Sequence, residues 1–156
     1  MPNKPGADAI IVHNNKICLV LRDNIPTISR PNKWNAPGGG IDEGETPEEG
    51  LRRELKEEIN LDATDIISLG STTDTNGMIV YRFFVPVTDE QFQAITLLEE
   101  GQRLDWFTFD EVLEFSKVEE FTPNFTFFLE AFADDLKKLI EGKREFTLRH
   151  ETLGIR

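Results

Sequence analysis

The feature that most constrains this chain is a run of glycines followed closely by a strongly marked helix start. Gly39 and Gly40 precede the segment Thr46-Pro47-Glu48-Glu49 by a few residues. There, a threonine can cap the helix, a proline fits the first helical position, and a glutamate three residues after the cap completes a capping box. Apolar residues then recur every four positions, at Leu51, Leu55 and Ile59. This pattern predicts an amphipathic helix with one buried stripe.

Three glutamates of this helix share one face. At about 100° per residue, Glu54, Glu57 and Glu58 fall within an arc of roughly 100°, and like charges at that spacing repel each other. A hard divalent cation such as Mg²⁺ or Mn²⁺ would turn this repulsion into attraction, because such ions prefer carboxylate oxygens. Arg53 lies one turn before Glu57 and can hold its carboxylate. The spacing therefore favours a divalent-metal site, and the alternative is a solvated acidic helix face.

The stretch resembles the Nudix box of the Nudix hydrolases. The positions that match in register are Gly39, Glu45, Arg53, Glu54, Leu55, Glu57, Glu58 and Leu61. Asn60 stands where the family has glycine, and asparagine tolerates the left-handed conformation that ends a helix. Residues 34–39 resemble the strand and loop that lead into the box, and residues 99–107 resemble the downstream metal-ligand loop and strand. The resemblance covers roughly residues 5–140.

This resemblance implies a fold and a reaction. The fold is the α/β/α Nudix sandwich with a mixed β-sheet, in the α/β (α+β) class. The reaction is metal-dependent hydrolysis of a pyrophosphate bond in a nucleoside diphosphate derivative, and the chain looks most similar to MutT-type enzymes that convert a nucleoside triphosphate, oxidised or not, to the monophosphate and pyrophosphate. ADP-ribose, a nucleotide sugar and a dinucleoside polyphosphate are alternative substrates. A nucleotide-binding sensor without turnover is the non-enzymatic alternative.

The resemblance also assigns roles to residues. It implies that Mg²⁺ or Mn²⁺ is bound by Glu54, Glu57 and Glu58, together with the Gly38 carbonyl and Glu100. The general base would be Glu54 or a glutamate of the downstream loop, with Glu100 preferred over Glu99. Arg53 and Glu45 look like orienting partners, and Gly39 looks like a structural residue of the box.

Two further residues are candidates for substrate binding. Arg22 ends the second predicted strand, where MutT-type enzymes carry an arginine that contacts phosphate; the alternative is an ordinary strand-end arginine. Asn124 follows the segment Phe121-Thr122-Pro123, and a similarly placed asparagine in those enzymes reads a purine with its amide. The alternative for Asn124 is a plain residue of a first helical turn. Tyr81 lies near, but out of register with, the tyrosine of dinucleoside polyphosphate hydrolases.

Composition limits the partners. A length of 156 residues favours one domain over residues 1–156. The 17 basic and 29 acidic residues give a net charge of −12, which disfavours non-specific binding to nucleic acid or anionic membranes. The small nucleotide substrate that the resemblance implies must therefore meet local positive groups or metal at the site. Cys18 is the single cysteine, and no stretch reads as a signal peptide or a membrane span. We therefore expect a cytoplasmic monomer or homodimer.

The remaining pattern predicts strands and helices around this site. A hairpin is expected over residues 7–22, with a turn at 13–15. Further strands are expected at residues 34–36, 65–69, 78–87 and 104–109, with a polar turn at 71–77. Helices are expected at residues 90–94, from 109 or 110 to 115, and at 122–141. Residues 143–156 form a C-terminal tail whose segment 145–149 is either an edge strand or a tail exchanged in a dimer.

Overall fold

The computed structural model describes residues 4–28, 31–73, 77–117, 121–142 and 152–154. Within these ranges one mixed sheet contains eight strands. They are β1 Gly6–His13, β2 Lys16–Leu21, β3 Trp34–Asn35, β4 Gly38–Gly40, β5 Ile67–Thr73, β6 Ile79–Pro86, β7 Arg103–Phe107 and β8 Thr152–Gly154. The helices are α1 Pro47–Ile59, α2 Asp89–Ala94, α3 Phe109–Ser116 and α4 Pro123–Ile140.

The sheet is mixed because its central strand has both parallel and antiparallel neighbours. The strand order is β3-β2-β1-β6-β5-β8, with β4 also paired to β1 and β7 to β2. Strand β1 is parallel to β6 and antiparallel to β2 and β4. Thus β1 lies at the centre, and the glycine strand β4 runs beside its first half.

Strand β1 is buried on both faces and so divides the core in two. Ala9 and Ile11 belong to the cluster that packs against α1, whereas Ile10 and Val12 belong to the cluster that packs against α4. This alternation is the period of two of a β-strand. The sandwich of helix, sheet and helix agrees with the predicted fold class.

Many of the phenylalanines lie in the cluster on the α4 side. Edge-to-face ring contacts link Phe107 to Phe115, Phe115 to Phe121, and Phe121 to Phe125. Such ring pairs contribute beyond the area that they bury. The aromatic cluster therefore fixes α3 and α4 against the sheet.

The structure corrects the polar turn predicted at residues 71–77 and the loop predicted at the glycine run. Strand β5 runs through Ser71–Thr73, where a polar turn was expected, because Thr72 is fully buried and its neighbours pair with β6. The glycine run forms β4 rather than a plain loop. A Cβ atom on Gly38 would lie 2.1 Å from the carbonyl oxygen of Ala7, so only glycine lets these two strands approach.

The segment 145–149 lies outside the described residues, and β8 pairs in parallel with β5 at the end of the strand order. No helix in the described ranges has the length and apolar character needed to cross a bilayer.

Candidate functional site

Helix α1 is fixed at both ends by the predicted caps. The Thr46 hydroxyl accepts a hydrogen bond from the Glu49 backbone N–H at 3.1 Å, and the Glu49 carboxylate accepts from the Thr46 N–H at 2.9 Å. Asn60 has φ 59° and caps the C-terminus in the left-handed conformation. Both predictions are confirmed. These caps fix where α1 begins and ends, and therefore which positions along it the glutamates occupy.

Glu54, Glu57 and Glu58 of α1 face an open pocket of about 820 Å³. Four segments meet there: the end of β2, strand β4, helix α1 and the segment before β7. The lining residues are Arg22, Gly38, Gly39, Gly40, Glu54, Glu57, Glu58, Leu97, Leu98, Glu99 and Glu100. The structure thus brings the candidate ligands Gly38 and Glu100 and the candidate phosphate contact Arg22 to the same place as the three box glutamates.

Asn124 is the second residue of α4, and its side chain lies outside the described part of the structure. Sequence reasoning missed Leu97 and Leu98, which line the pocket beside Glu99. The only signal for them was a pair of leucines directly before two glutamates. Leu98 is 48% exposed, so the rim of the pocket presents an apolar surface to solvent.

Arg53 organises the acidic face through several ion pairs. Its guanidinium makes two bonds to the Glu45 carboxylate, at 2.8 and 2.9 Å, and reaches Glu54 at 2.9 Å and Glu57 at 3.3 Å. It also donates to the Gly40 carbonyl at 3.0 Å. The hydrogen bonds that Glu45 accepts, those from Arg53 first, lower its pKa to about 2. Arg53 therefore offsets part of the repulsion among the glutamates and ties α1 to the glycine strand.

Glu58 is more buried than Glu57. Burial, together with the charges of Glu54 and Glu100, raises its pKa to about 8, against the opposing effect of a hydrogen bond from the Gly38 N–H. That bond to Glu58 Oε1 is 3.3 Å long. The carboxylate is thus held in a site where negative charge is in excess.

Gly39 leaves room for Glu54. A Cβ atom at position 39 would lie 2.4 Å from the Glu54 carboxyl carbon. The glycine of the box thus allows a carboxylate of α1 to lie directly against the backbone of β4.

The segment that carries Glu99 and Glu100 docks on the end of α1. The Thr96 N–H donates to the Ile59 carbonyl, and the Leu98 N–H donates to the Glu58 carbonyl, both at 3.0 Å. The last carbonyls of a helix have no partner within it, so this segment satisfies them. As a result, Glu100 lines the same pocket as Glu54, Glu57 and Glu58.

The donor set fits a hard divalent cation. The acidic lining is all oxygen, from carboxylates and backbone carbonyls, which is the chemistry that Mg²⁺ and Mn²⁺ prefer. No group of three His, Cys, Asp or Glu side chains within the described ranges is already arranged around a metal position. Arg53 engages Glu54 and Glu57 instead. Binding would therefore require these two carboxylates to turn from Arg53 towards the ion.

A stability measurement without metal checks the environment of Glu58. In the unfolded chain Glu58 titrates near 4.5, whereas the folded protein keeps the proton up to about 8. The folded state binds more protons in this window, so its stability falls as the pH rises from about 4.5 to about 8. We expect Glu58→Gln to raise the Tm at pH 8 in chelator-treated buffer by several degrees, at about 2–4 °C per kcal/mol.

The same variant should leave the Tm nearly unchanged at pH 4, where wild-type Glu58 is protonated in both states. Thermal unfolding by circular dichroism over this pH range measures both expectations. An equal Tm for the two proteins at pH 8 contradicts the assigned environment.

Comparison with known proteins matches residues 2–127 to the NUDIX domain. A curated relative, the RNA pyrophosphohydrolase of a Nitratiruptor species, is 39% identical over 70 residues, which cover 42% of this chain and 42% of the relative. The chain therefore spans under half the length of this relative. A similar protein from Pseudomonas paraeruginosa is 39% identical over 74 residues, which cover 47% of this chain and 43% of that protein.

Solved structures share the fold. The MutT protein from Methanosarcina mazei Go1 superposes with a TM-score of 0.67 at 22% identity, covering 88% of this chain and 97% of that one. A NUDIX hydrolase from Nitrosomonas europaea gives a TM-score of 0.70 at 19% identity, covering 99% of this chain and 80% of the other. At such identities the likeness concerns the fold.

Proposed function

Because the chain belongs to the NUDIX domain family, we propose that it is a metal-dependent pyrophosphohydrolase of a nucleoside diphosphate derivative. Nudix hydrolases generally use divalent metal ions. The observation that carries the proposal is the pocket that contains Glu54, Glu57, Glu58 and Glu100 together with Arg22. A purely structural role gains nothing from five glutamate carboxylates, three of them from one helix, around one opening, whereas phosphoryl transfer needs this combination of metal ligands and a positive group.

The preferred substrate is a nucleoside triphosphate, and the ion is Mg²⁺ or Mn²⁺. In this reaction the oxygen of a water molecule forms a bond to phosphorus. The water attacks one of the two phosphorus atoms that the bridging oxygen joins, and the bond from that atom to the bridging oxygen breaks. The products are the nucleoside monophosphate and pyrophosphate, one with the new oxygen and the other with the bridging oxygen. A divalent ion bound by the carboxylates would supply charge neutralisation and acidify water.

The side chains of the pocket perform the other steps. Glu54 or Glu100 accepts the proton of the attacking water as general base. Arg22 binds a phosphate oxygen by a charge-assisted contact, and Arg53 holds Glu54 and Glu57 until they turn towards the ion. Asn124 reads the base of the nucleotide from the start of α4.

A second candidate substrate is the 5′-triphosphate end of an RNA. It is favoured by the relatives that carry the name RNA pyrophosphohydrolase. The net charge of −12 opposes it, because contacts with an extended RNA backbone need clustered positive charge. The comparison of the two substrates is therefore part of the test.

The test is a substrate panel assayed with Mg²⁺ and with Mn²⁺. It contains nucleoside triphosphates, oxidised ones among them, nucleotide sugars, ADP-ribose, dinucleoside polyphosphates and a short RNA with a 5′-triphosphate. We expect a nucleoside triphosphate to yield its monophosphate and pyrophosphate, and chelation of the metal to abolish the reaction.

Glu57→Gln provides the matched test of the site, with Glu48→Gln as its control. Glu48 lies on the same helix, pairs with Arg52 at the surface and is not part of the pocket lining. Glu57→Gln should hydrolyse the substrate far more slowly than wild type, whereas Glu48→Gln should match wild type. Equal rates for wild type and Glu57→Gln reject the proposal, and tight nucleotide binding without turnover by wild type supports a sensor instead.

A further inference from the structure

Gln102 connects the two sides of the pocket. Its side-chain Nε2 donates to the Arg22 carbonyl at 2.8 Å and to Asn32 Oδ1 at 2.9 Å. Its backbone N–H donates to the Leu21 carbonyl at 2.9 Å. One residue thus joins the end of β2, the segment before β3 and the segment that carries Glu100.

The neighbouring residues reinforce this connection. The Gly101 N–H donates to Asp23 Oδ2 at 3.2 Å, and the Asn32 N–H donates to the Asp23 carbonyl at 3.0 Å. Gly101 has φ 96°, and a Cβ atom there would lie 3.0 Å from Val20 Cγ1. We call Asp23, Asn32, Gly101 and Gln102 the clasp.

The clasp lies next in sequence to two groups of the pocket. Arg22 precedes Asp23, and Glu100 precedes Gly101; both line the pocket. The bond from Gln102 fixes the backbone from which the Arg22 side chain leaves, while Gly101 and Gln102 fix the backbone that carries Glu100. The distance between the positive and negative sides of the pocket therefore depends on the clasp.

We propose that Gln102 is a positioning residue that holds Arg22 in register with Glu100, an inference that rests on the proposed function. Its side chain is exposed, so it contributes little to the core and acts mainly through these two hydrogen bonds. Loss of one such bond corresponds to about a fivefold change in an equilibrium constant. The effect belongs to substrate binding, because Arg22 contacts the phosphate before and during the reaction.

Gln102→Met tests the inference, because methionine keeps the length of the side chain and removes both donated bonds. We expect the KM for the preferred substrate to rise about five- to tenfold, with kcat within about twofold of wild type and a Tm within about 5 °C of wild type. In an Arg22→Ala background, Gln102→Met should change KM by less than about twofold, because the residue acts through Arg22. Gln93→Met, at an exposed position of α2, is the control and should match wild type.

If Gln102 has only a structural role, the measurements give a different result. In that case Tm and kcat fall together, KM stays constant, and the effects of Gln102→Met and Arg22→Ala multiply. Any of these outcomes overturns the inference, as does a KM equal to that of wild type.

A binding measurement separates this inference from the proposed function. Calorimetric titration with an α,β-methylene nucleoside triphosphate and Mg²⁺ does not depend on turnover. A Kd about five- to tenfold weaker for Gln102→Met than for wild type supports the positioning role even if no substrate of the panel is hydrolysed. Equal Kd values overturn the inference while leaving the hydrolase proposal intact.

Discussion

Glu54→Gln and Glu58→Gln should each lower kcat for the preferred substrate by several orders of magnitude, on the order of 10³-fold, while the protein remains folded. Each substitution replaces a carboxyl group that could bind a divalent ion by an amide and keeps the shape of the side chain. Losses of this size are typical when a preorganised charge that stabilises a transition state is removed. Glu58 is half-buried and accepts a hydrogen bond from the Gly38 N–H, so its carboxyl group is held against β4.

Steady-state kinetics with Mg²⁺ and circular dichroism check this expectation together. Glu48→Gln again serves as the control, because it changes an exposed glutamate of the same helix. Retention of more than about a tenth of wild-type turnover by both variants would mean that the pocket does not carry the chemistry. Loss of turnover together with loss of the folded signal would assign the two glutamates to stability instead.

The second large effect concerns a buried ion pair on the α4 side of the sheet. Arg82 donates to Asp8 Oδ2 at 2.6 Å, and the two side chains are 1% and 8% exposed. The Arg82 guanidinium also lies over the Phe128 ring, 4.8 Å from its centroid. Burial raises the pKa of Asp8 despite the opposing effect of Arg82. The core therefore contains two charged side chains, and each stabilises the charge of the other.

Arg82→Met should destabilise the protein by about 3–5 kcal/mol, because it leaves the Asp8 charge buried without its partner. This corresponds to a fall in Tm of roughly 10 °C for a chain of this size. The double variant Asp8→Leu/Arg82→Met should recover most of the loss, since a well-packed apolar pair can replace a buried ion pair. Urea unfolding measures both differences.

Arg103→Met is the control for this prediction. Arg103 pairs with Asp105 at 2.9 Å on the surface, and both side chains are well exposed. Such pairs contribute up to about 1 kcal/mol, so the variant should unfold close to wild type. If Arg82→Met behaves like Arg103→Met, or if the double variant is less stable than the single one, the buried pair does not have the assigned role.

The local features of α1 could be predicted from sequence because each depends on nearby residues. Thr46 and Glu49 cap the helix from three residues apart, and Asn60 ends it through its own backbone conformation. The spacing of Glu54, Glu57 and Glu58 follows from the helical repeat alone. The hairpin of β1 and β2 was predictable for the same reason, since Asn14 and Asn15 tolerate the positive φ values, 53° and 64°, of its turn.

The errors and omissions concern residues whose state depends on distant partners. Ser71–Thr73 looks like a polar turn locally but forms part of β5, because β6 supplies the opposite strand. Asp8 and Arg82 lie 74 positions apart and are paired in register on β1 and β6. No local signal marks either residue as buried, since isolated charged side chains are usually exposed.

The sequence by itself determined the helix, its caps and the carboxylates that it presents, because helical geometry and capping act within a few residues. Only the tertiary structure decided what those carboxylates face. The approach of β4 to β1, the docking of residues 96–98 on the end of α1 and the bonds of Gln102 bring Arg22, Gly38 and Glu100 to the same pocket. These contacts join segments far apart in the chain, and their geometry is set by sheet register and packing, which no short stretch of residues encodes.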